Sequence, residues 1–215
     1  MQEPIEVKLN NSGQVALARL QDAIVEALVE VEPGIIFHGD TAIWRCYNGN
    51  RFSEDVDIYA TNAQIRKLDL GLMWSLSKRN ATMEYPTYTD RMVGIRSTDA
   101  RSKYEAMKTP MGIRSVQAEY VRTDGSKLFV NTLSVKSFIS EKIGTYVKRR
   151  YVRDFYDLYH LISIEKPDGA TKSLVKRFLP GAERPIDESK LKDLVYTGIA
   201  PSFDTMKTSI EKAVS

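Results

Sequence analysis

Cysteine is almost missing from this sequence: Cys46 is the only one in 215 residues. That excludes an internal disulfide framework and suits a reducing compartment. Histidine is nearly as scarce, with only His38 and His160, so a zinc site is not expected. No apolar run is long enough to span a bilayer, and the first residues show no basic, then apolar, leader. These absences predict a cytoplasmic protein with no membrane partner. Repeats and low-complexity segments are also missing. Neither sign of charge dominates, since the net charge is only +3, a weak pull toward anionic partners.

The composition present, 42% hydrophobic and 27% charged, is ordinary for a chain that buries a core without staples. The length suits one domain with an appendage, or two small ones. Residues 1–11 read as polar and loosely ordered. Val15, Leu17, Leu20, Ile24, Leu28 and Val31 then recur at helical spacing, with Ser12 able to cap the helix and Pro33-Gly34 to end it. A second helix follows Thr61 or Asn62, with Ile65, Leu68, Leu72, Trp74 and Leu76 as its apolar positions and Gly71 weakening it. From Thr82 to Leu133 the pattern turns to short strands, with a hairpin turn at Thr123-Asp124-Gly125-Ser126. Within it, Arg101–Gly112 reads as loop or edge strand. Helical spacing returns at Ser134 and recurs over Val152–Ile162, Lys172–Leu179, Asp187–Tyr196 and Phe203–Ala213. The fold class expected is α+β: a mixed sheet flanked by helices over residues 1–133, then a helical domain over 134–215.

The chemistry concentrates between Ile35 and Tyr59. An apolar strand ends at a Gly39 turn, a short helix follows, and Glu54-Asp55-Val56-Asp57-Ile58-Tyr59 enters a second strand. Alternation puts Asp55 and Asp57 on one side and Val56 and Ile58 toward the core. Adjacent carboxylates repel unless a divalent cation sits between them, most often Mg²⁺. Gly39 lets backbone approach a phosphate at a helix start, and the Ser53 hydroxyl can donate to it; Thr41 can cap the helix. Each also has a purely structural reading, as a tight turn, a loop hydroxyl and a cap. Cys46, inside that helix, reads as a buried, inert thiol.

Further along, Asp154 and Asp157 share a helix face, and Arg150–Asp154 and Arg153–Asp157 are spaced for ion pairs. Lys148, Arg149, Arg150 and Arg153 form a basic run, read either as a solvated helix end or as a contact for RNA or nucleotide.

Two sets of residues carry a resemblance. Gly39-x-Thr41-Ala42-Ile43 followed by Arg51-x-Ser53-x-Asp55-x-Asp57 resembles the nucleotidyltransferase signature of the DNA polymerase β superfamily. Glu141-Lys142-Ile143, Arg149-Arg150 and Arg153-Asp154-Phe155-Tyr156-Asp157-Leu158-Tyr159 resemble the later motifs of the AbiEii/AbiGii toxin family, which includes the MenT-type toxins. The resemblance covers Ile35 to Leu161. It implies transfer of a nucleotide from a nucleoside triphosphate (NTP) to an RNA, tRNA above all, with Mg²⁺, and an antitoxin encoded nearby. By the same resemblance Asp55 and Asp57 hold metal, Glu119 is a third ligand, and Gly39, Asp40, Thr41 and Ser53 surround the phosphates. Lys142 meets the triphosphate, Asp154 and Asp157 orient the acceptor or act in catalysis, and the helical domain completes the active site. The alternative for Glu119 is a solvent-facing glutamate on a half-buried strand, and for Lys142 a surface lysine with a packed stem. One departure stands out: the family commonly has Gly-Gly before Thr, whereas this chain has Gly39-Asp40-Thr41. Asp40 would repel the triphosphate, join the metal cluster, or cap the helix. Competing readings are a transferase acting on a small molecule or a protein side chain, and a nucleotide-binding module impaired in catalysis.

Overall fold

The computed structural model describes residues 4–84 and 92–215. Of residues 1–11, expected to be loosely ordered, 1–3 lie outside the described residues, while Ile5–Lys8 form a short helix with Ile5 buried; the strand pattern where it runs through 85–91 also lies outside them. The chain divides into two compact units: Met1–Asn48 with Ser53–Leu133, and Gly49–Phe52 with Ser134–Ser215. The short segment Gly49–Phe52 thus leaves its sequence neighbours and joins the second unit.

In the first unit, α1 (Ile5–Lys8) precedes the long α2 (Ser12–Val31). Asn11, not Ser12, caps α2, its side chain accepting from the Gln14 amide at 2.9 Å. Strand β1 (Ile36–His38) leads into α3 (Gly39–Cys46), then β2 (Val56–Ala60) and α4 (Asn62–Ser77). Thr61 and Gln64 close α4 with reciprocal caps. Gly71, a weak helix former, is explained by what lies across from it: a Cβ there would meet Val31 Cγ1 at 2.8 Å, so the glycine lets α4 approach α2. Trp74 departs from its expected role. Leu68, Leu72 and Leu76 are buried, whereas Leu70, Met73 and Trp74 face solvent.

Strands β3 (Thr82–Glu84), β4 (Met92–Arg96), β5 (Arg101–Lys108), β6 (Ser115–Val121) and β7 (Lys127–Leu133) complete one sheet. Among the described residues its order is β3-β4-β5-β2-β1-β7-β6. The sheet is mixed: β1 runs antiparallel to β2 but parallel to β7, and β2 runs parallel to β5. Arg101–Lys108, expected as loop or edge, is an interior strand paired on both sides. Its Tyr104 and Ala106 are buried, while Lys103 and Glu105 alternate to the opposite face.

A buried charge sits inside this unit. Arg45, fully buried, donates to Asp22 Oδ1 at 2.7 Å, to the Ala18 carbonyl at 2.9 Å and to Thr123 Oγ1 at 3.2 Å. Asp22 also accepts from the Thr123 amide and the Tyr120 hydroxyl. Burial nevertheless pushes its carboxyl above the ordinary carboxylate range, against the pull of Arg45. Burial likewise pushes the Cys46 thiol up to about 12, leaving it protonated and unreactive at neutral pH.

The second unit is helical: α5 (Val135–Arg149), α6 (Val152–Ile164), α7 (Gly169–Phe178), α8 (Leu191–Leu194) and α9 (Phe203–Val214). Ser134 caps α5, and Arg150 ends it in the left-handed region. Tyr146, Phe155, Phe178 and Phe203 form the aromatic centre of its core. Asp187–Tyr196 does not form one helix. A 3₁₀ turn over Glu188–Lys190 and the short α8 give way to an extended Val195 bridged to Arg51.

Candidate active site

The chain from Arg51 to Asp55 has little regular structure, so its carbonyls need partners from side chains. They find them: Gln21 donates to the Ser53 carbonyl at 2.9 Å, Ser102 to that of Glu54 at 2.8 Å, and Thr41 to that of Asp55 at 2.5 Å. The Thr41 hydroxyl also meets Ser53 Oγ at 2.8 Å. Thr41 therefore ties α3 to the carboxylate-bearing segment rather than capping its own helix. Ser53 is buried and already engaged by Thr41.

Asp57 lies in the middle of this arrangement. It pairs in register with His38 on one side and Glu105 on the other, and in-register neighbours share a face. His38 stacks on Tyr59, with ring centroids 3.6 Å apart. Gly39 has φ +74, and a Cβ there would fall 2.2 Å from Asp57 Oδ2. Only glycine permits this approach of backbone to carboxylate. Burial pushes the Asp57 carboxyl up to about 6; His38 opposes that rise, and Asp40, Asp55 and Glu105 add to it. Asp40 is thus within electrostatic reach of Asp57. Asp55, about half exposed, holds Lys103 Nζ at 3.3 Å.

Glu105 was missing from the expected site and Glu119 was in it. Glu119 lies on β6, separated from β2 by β7 and β1, and is exposed in an ion pair with Lys127 at 2.5 Å. It is not brought to the aspartates; Glu105 on the neighbouring strand is. The signal that marks Glu105 is the alternation Lys103-Tyr104-Glu105-Ala106, obscured by the polar composition of the whole strand.

The donors near Asp57 are hard carboxylate oxygens, which suit Mg²⁺ chemically. Among the described residues, no group of three or more such side chains is already gathered around one point. Asp55 and Asp57, with Glu105 beside them, are the residues that could hold such an ion. A groove of about 940 Å³ beside Arg19, Arg79 and Asp99 contains none of the expected site residues.

In the second unit the motif residues form a buried ion network. Lys142 Nζ, with its side chain 2% exposed, lies 2.7 Å from Asp157 Oδ2 and 3.6 Å from Asp154 Oδ1. Arg149 grips Asp154 with two bonds, at 2.7 and 2.8 Å. Arg51 grips Asp157 with two more, both 2.6 Å. The arginines found on the two aspartates are thus Arg149 and Arg51, in place of the i, i+4 partners suggested by spacing. Three cations, Lys142, Arg149 and Arg51, meet the two carboxylates Asp154 and Asp157. Of the basic run, Arg149 holds Asp154, Arg150 holds Glu183 and the Arg184 carbonyl, and Arg153 lies against the Tyr151 ring. Lys148 is exposed.

Comparison with known proteins adds a family. Among solved structures, the MenT4 nucleotidyltransferase toxin Rv2826c of Mycobacterium tuberculosis superposes with a TM-score of 0.61 at 16% identity, covering 97% of this chain and 86% of that one. JHP933 from Helicobacter pylori gives 0.64 at 16% identity, covering 96% and 92%. At such identities the likeness speaks to the fold alone. No curated protein matches the sequence. The model of the AbiEii nucleotidyl transferase toxins of type IV toxin–antitoxin systems matches residues 23–201, a span holding both the Asp55–Asp57 pair and the Lys142 network. The chain therefore belongs to the AbiEii family of nucleotidyltransferase toxins.

Proposed function

We propose that this enzyme is Mg²⁺-dependent, moves a nucleotide from an NTP to an RNA, tRNA foremost, and acts in the cytoplasm beside a cognate antitoxin. The observation that carries the reading is Asp57, flanked in register by Glu105 and overlain by the Gly39 backbone. Metal held by Asp55 and Asp57, with Glu105 as third carboxylate, would neutralise charge on the attacking and leaving oxygens. The chain's own groups do the rest. Gly39 and the first amides of α3 are suited to phosphate oxygens. Thr41 holds Ser53 and the Asp55 main chain in place. Asp40, whose charge bears on Asp57, enlarges the acidic group and disfavours an approaching triphosphate unless cations intervene. Lys142, its ammonium held by Asp157, is kept as the cation for the triphosphate. Asp154 and Asp157 act through the cations they hold.

The test is incubation with each labelled NTP, Mg²⁺ and total tRNA, with Asp57→Asn and Asp40→Gly variants alongside. Transfer by the wild type and none by Asp57→Asn is the expected result. No transfer by any of the three with any base would overturn the reading.

A second acceptor class, a small hydroxylated molecule or a protein side chain, rests on how the basic run is occupied. Arg149 and Arg150 already serve carboxylates of this chain, which weakens a polyanion-binding reading. An RNA affinity that falls steeply with salt would exclude that class.

A further inference from the structure

Within the first unit, the sheet face that bears Asp57 continues across β5, β4 and β3. In-register partners share a face, and alternation puts Arg101 and Lys103 on the side of Glu105 and Asp57. On β4, Gly94 lies opposite Lys103 and Arg96 opposite Arg101; on β3, Glu84 lies opposite Gly94. The buried Ile95, Tyr104 and Ala106 point to the other side. Two arginines thus face each other directly, 56% and 75% exposed. Like charges so placed destabilise a sheet. Glu84 offsets this loosely, 3.7 Å from Arg96 Nε and 3.4 Å from Arg101 Nε, both longer than a good hydrogen bond.

Gly94 sits in the middle of this group, where a glycine weakens the strand. Its φ lies outside the left-handed region, and among the described residues a Cβ there would meet nothing closer than Glu84 Cβ at 3.5 Å, an ordinary contact. Neither conformation nor crowding asks for a glycine. Its missing side chain leaves a bare floor between Met92 and Arg96 and beside Lys103. A strand glycine of this kind marks close approach by a ligand. The floor also leads to the carboxylates: Lys103 Nζ lies 3.3 Å from Asp55 Oδ2, and Arg101 to Glu105 spans about 13 Å of strand.

We propose that Arg96, Arg101 and Lys103, around the floor at Gly94, form the docking surface for the phosphodiester backbone of an RNA acceptor. This extends the nucleotidyl-transfer reading and depends on it for the role of the bound RNA, though not for the binding itself. Charge complementarity selects the occupant, because cations along an open floor match a chain with one negative charge per nucleotide. Guanidinium groups take phosphate oxygens with two parallel bonds.

The experiment follows binding of fluorescein-labelled total tRNA by anisotropy across a salt series. It compares wild type with Gly94→Thr, Arg96→Gln/Arg101→Gln and Glu84→Gln. Threonine suits a strand, so Gly94→Thr should keep the wild-type urea midpoint or exceed it, while tRNA affinity falls at least about tenfold. The double arginine variant should lose at least about tenfold, and its slope of log affinity against log salt should shrink by about 1.5–2. Glu84→Gln, which removes a carboxylate from the same face, should bind about two- to threefold more tightly. Affinity for a non-hydrolysable NTP with Mg²⁺ should change less than about threefold in every variant. Wild-type tRNA affinity in Gly94→Thr, or an unchanged salt slope in the double variant, would overturn the proposal. So would an equal loss of NTP affinity, which would give these cations to the triphosphate. Displacement of tRNA by poly-glutamate at equal charge would also overturn it, assigning the face to an acidic protein segment. If the tRNA results hold while the wild type transfers nothing, the functional reading fails and the docking surface stands.

Discussion

The backbone of Gly39 rests on the carboxylate of Asp57, with 2.2 Å left for a side chain that needs more than 3 Å. Gly39→Ala meets two obstacles at once, a left-handed φ of +74 and that collision. It should cost about 2–4 kcal/mol in urea unfolding and lower transfer at least about tenfold by displacing Asp57. An alanine variant with wild-type stability and turnover would mean that the turn relaxes without disturbing the carboxylate.

Glu105 and Glu119 make a matched pair for mutation. Glu105→Gln should lower kcat about 100-fold, a loss typical of removing charge stabilisation at a reacting centre. Glu119→Gln, which breaks only an exposed pair with Lys127, should stay within about twofold of wild type and within about 0.5 kcal/mol in stability. Steady-state kinetics on the two proteins decides between the strands.

Asp57 should make stability fall as pH rises. Its carboxyl goes from an ordinary 3.8 to about 6 on folding. An acid raised in this way folds without penalty below the lower value. The penalty grows between the two and is complete above the upper one. A difference of that size corresponds to about 3 kcal/mol at neutral pH. Asp57→Asn should therefore be inactive yet more stable than wild type near pH 7, with the gain vanishing as pH falls toward 4. Chemical denaturation at several pH values checks both the sign and the window.

The Arg45–Asp22 pair tests the opposite case, a charge that cannot be left alone. Arg45→Met should cost about 3–5 kcal/mol, because Asp22 keeps its burial and loses its cation. The double variant Arg45→Met/Asp22→Asn should recover part of that loss. Urea midpoints on the three proteins measure it.

Trp74 should be nearly silent. It is 64% exposed, with Lys78 Nζ above its ring at 3.1 Å. Trp74→Gln should change stability by less than about 1 kcal/mol, whereas Leu72→Ala, from the buried face of the same helix, should cost about 2–5 kcal/mol.

That contrast shows what could and could not be read from the chain. Helices α2, α4 and α5 announce themselves through apolar spacing and capping residues, because those signals are local. Trp74 misleads because periodicity counts a large apolar residue as core whichever way it points. Strand β5 escapes notice because only Tyr104 and Ala106 are buried, leaving Arg101, Lys103, Glu105 and Lys108 to dominate its appearance. With the strand went Glu105, and Glu119 stood in for it on a sequence whose apolar flanks were plainer. Simple alternation made Val56 and Ile58 legible as core, with Asp57 between them on the other face. Arg51 on Asp157 was not legible: the arginines at helical spacing offered a nearer explanation, and no local pattern points across 106 residues.

Strand β1 has three residues, yet it is flanked by β2 on one side and β7 on the other. Its first neighbour arrives about twenty residues later in synthesis; the second, through Phe37 opposite Thr132, arrives almost a hundred later. Until that hairpin leaves the ribosome, an apolar ribbon at the middle of the molecule has an unsatisfied flank open to sticky encounters. A gene cut short before Lys127 would yield an aggregating fragment instead of a smaller enzyme.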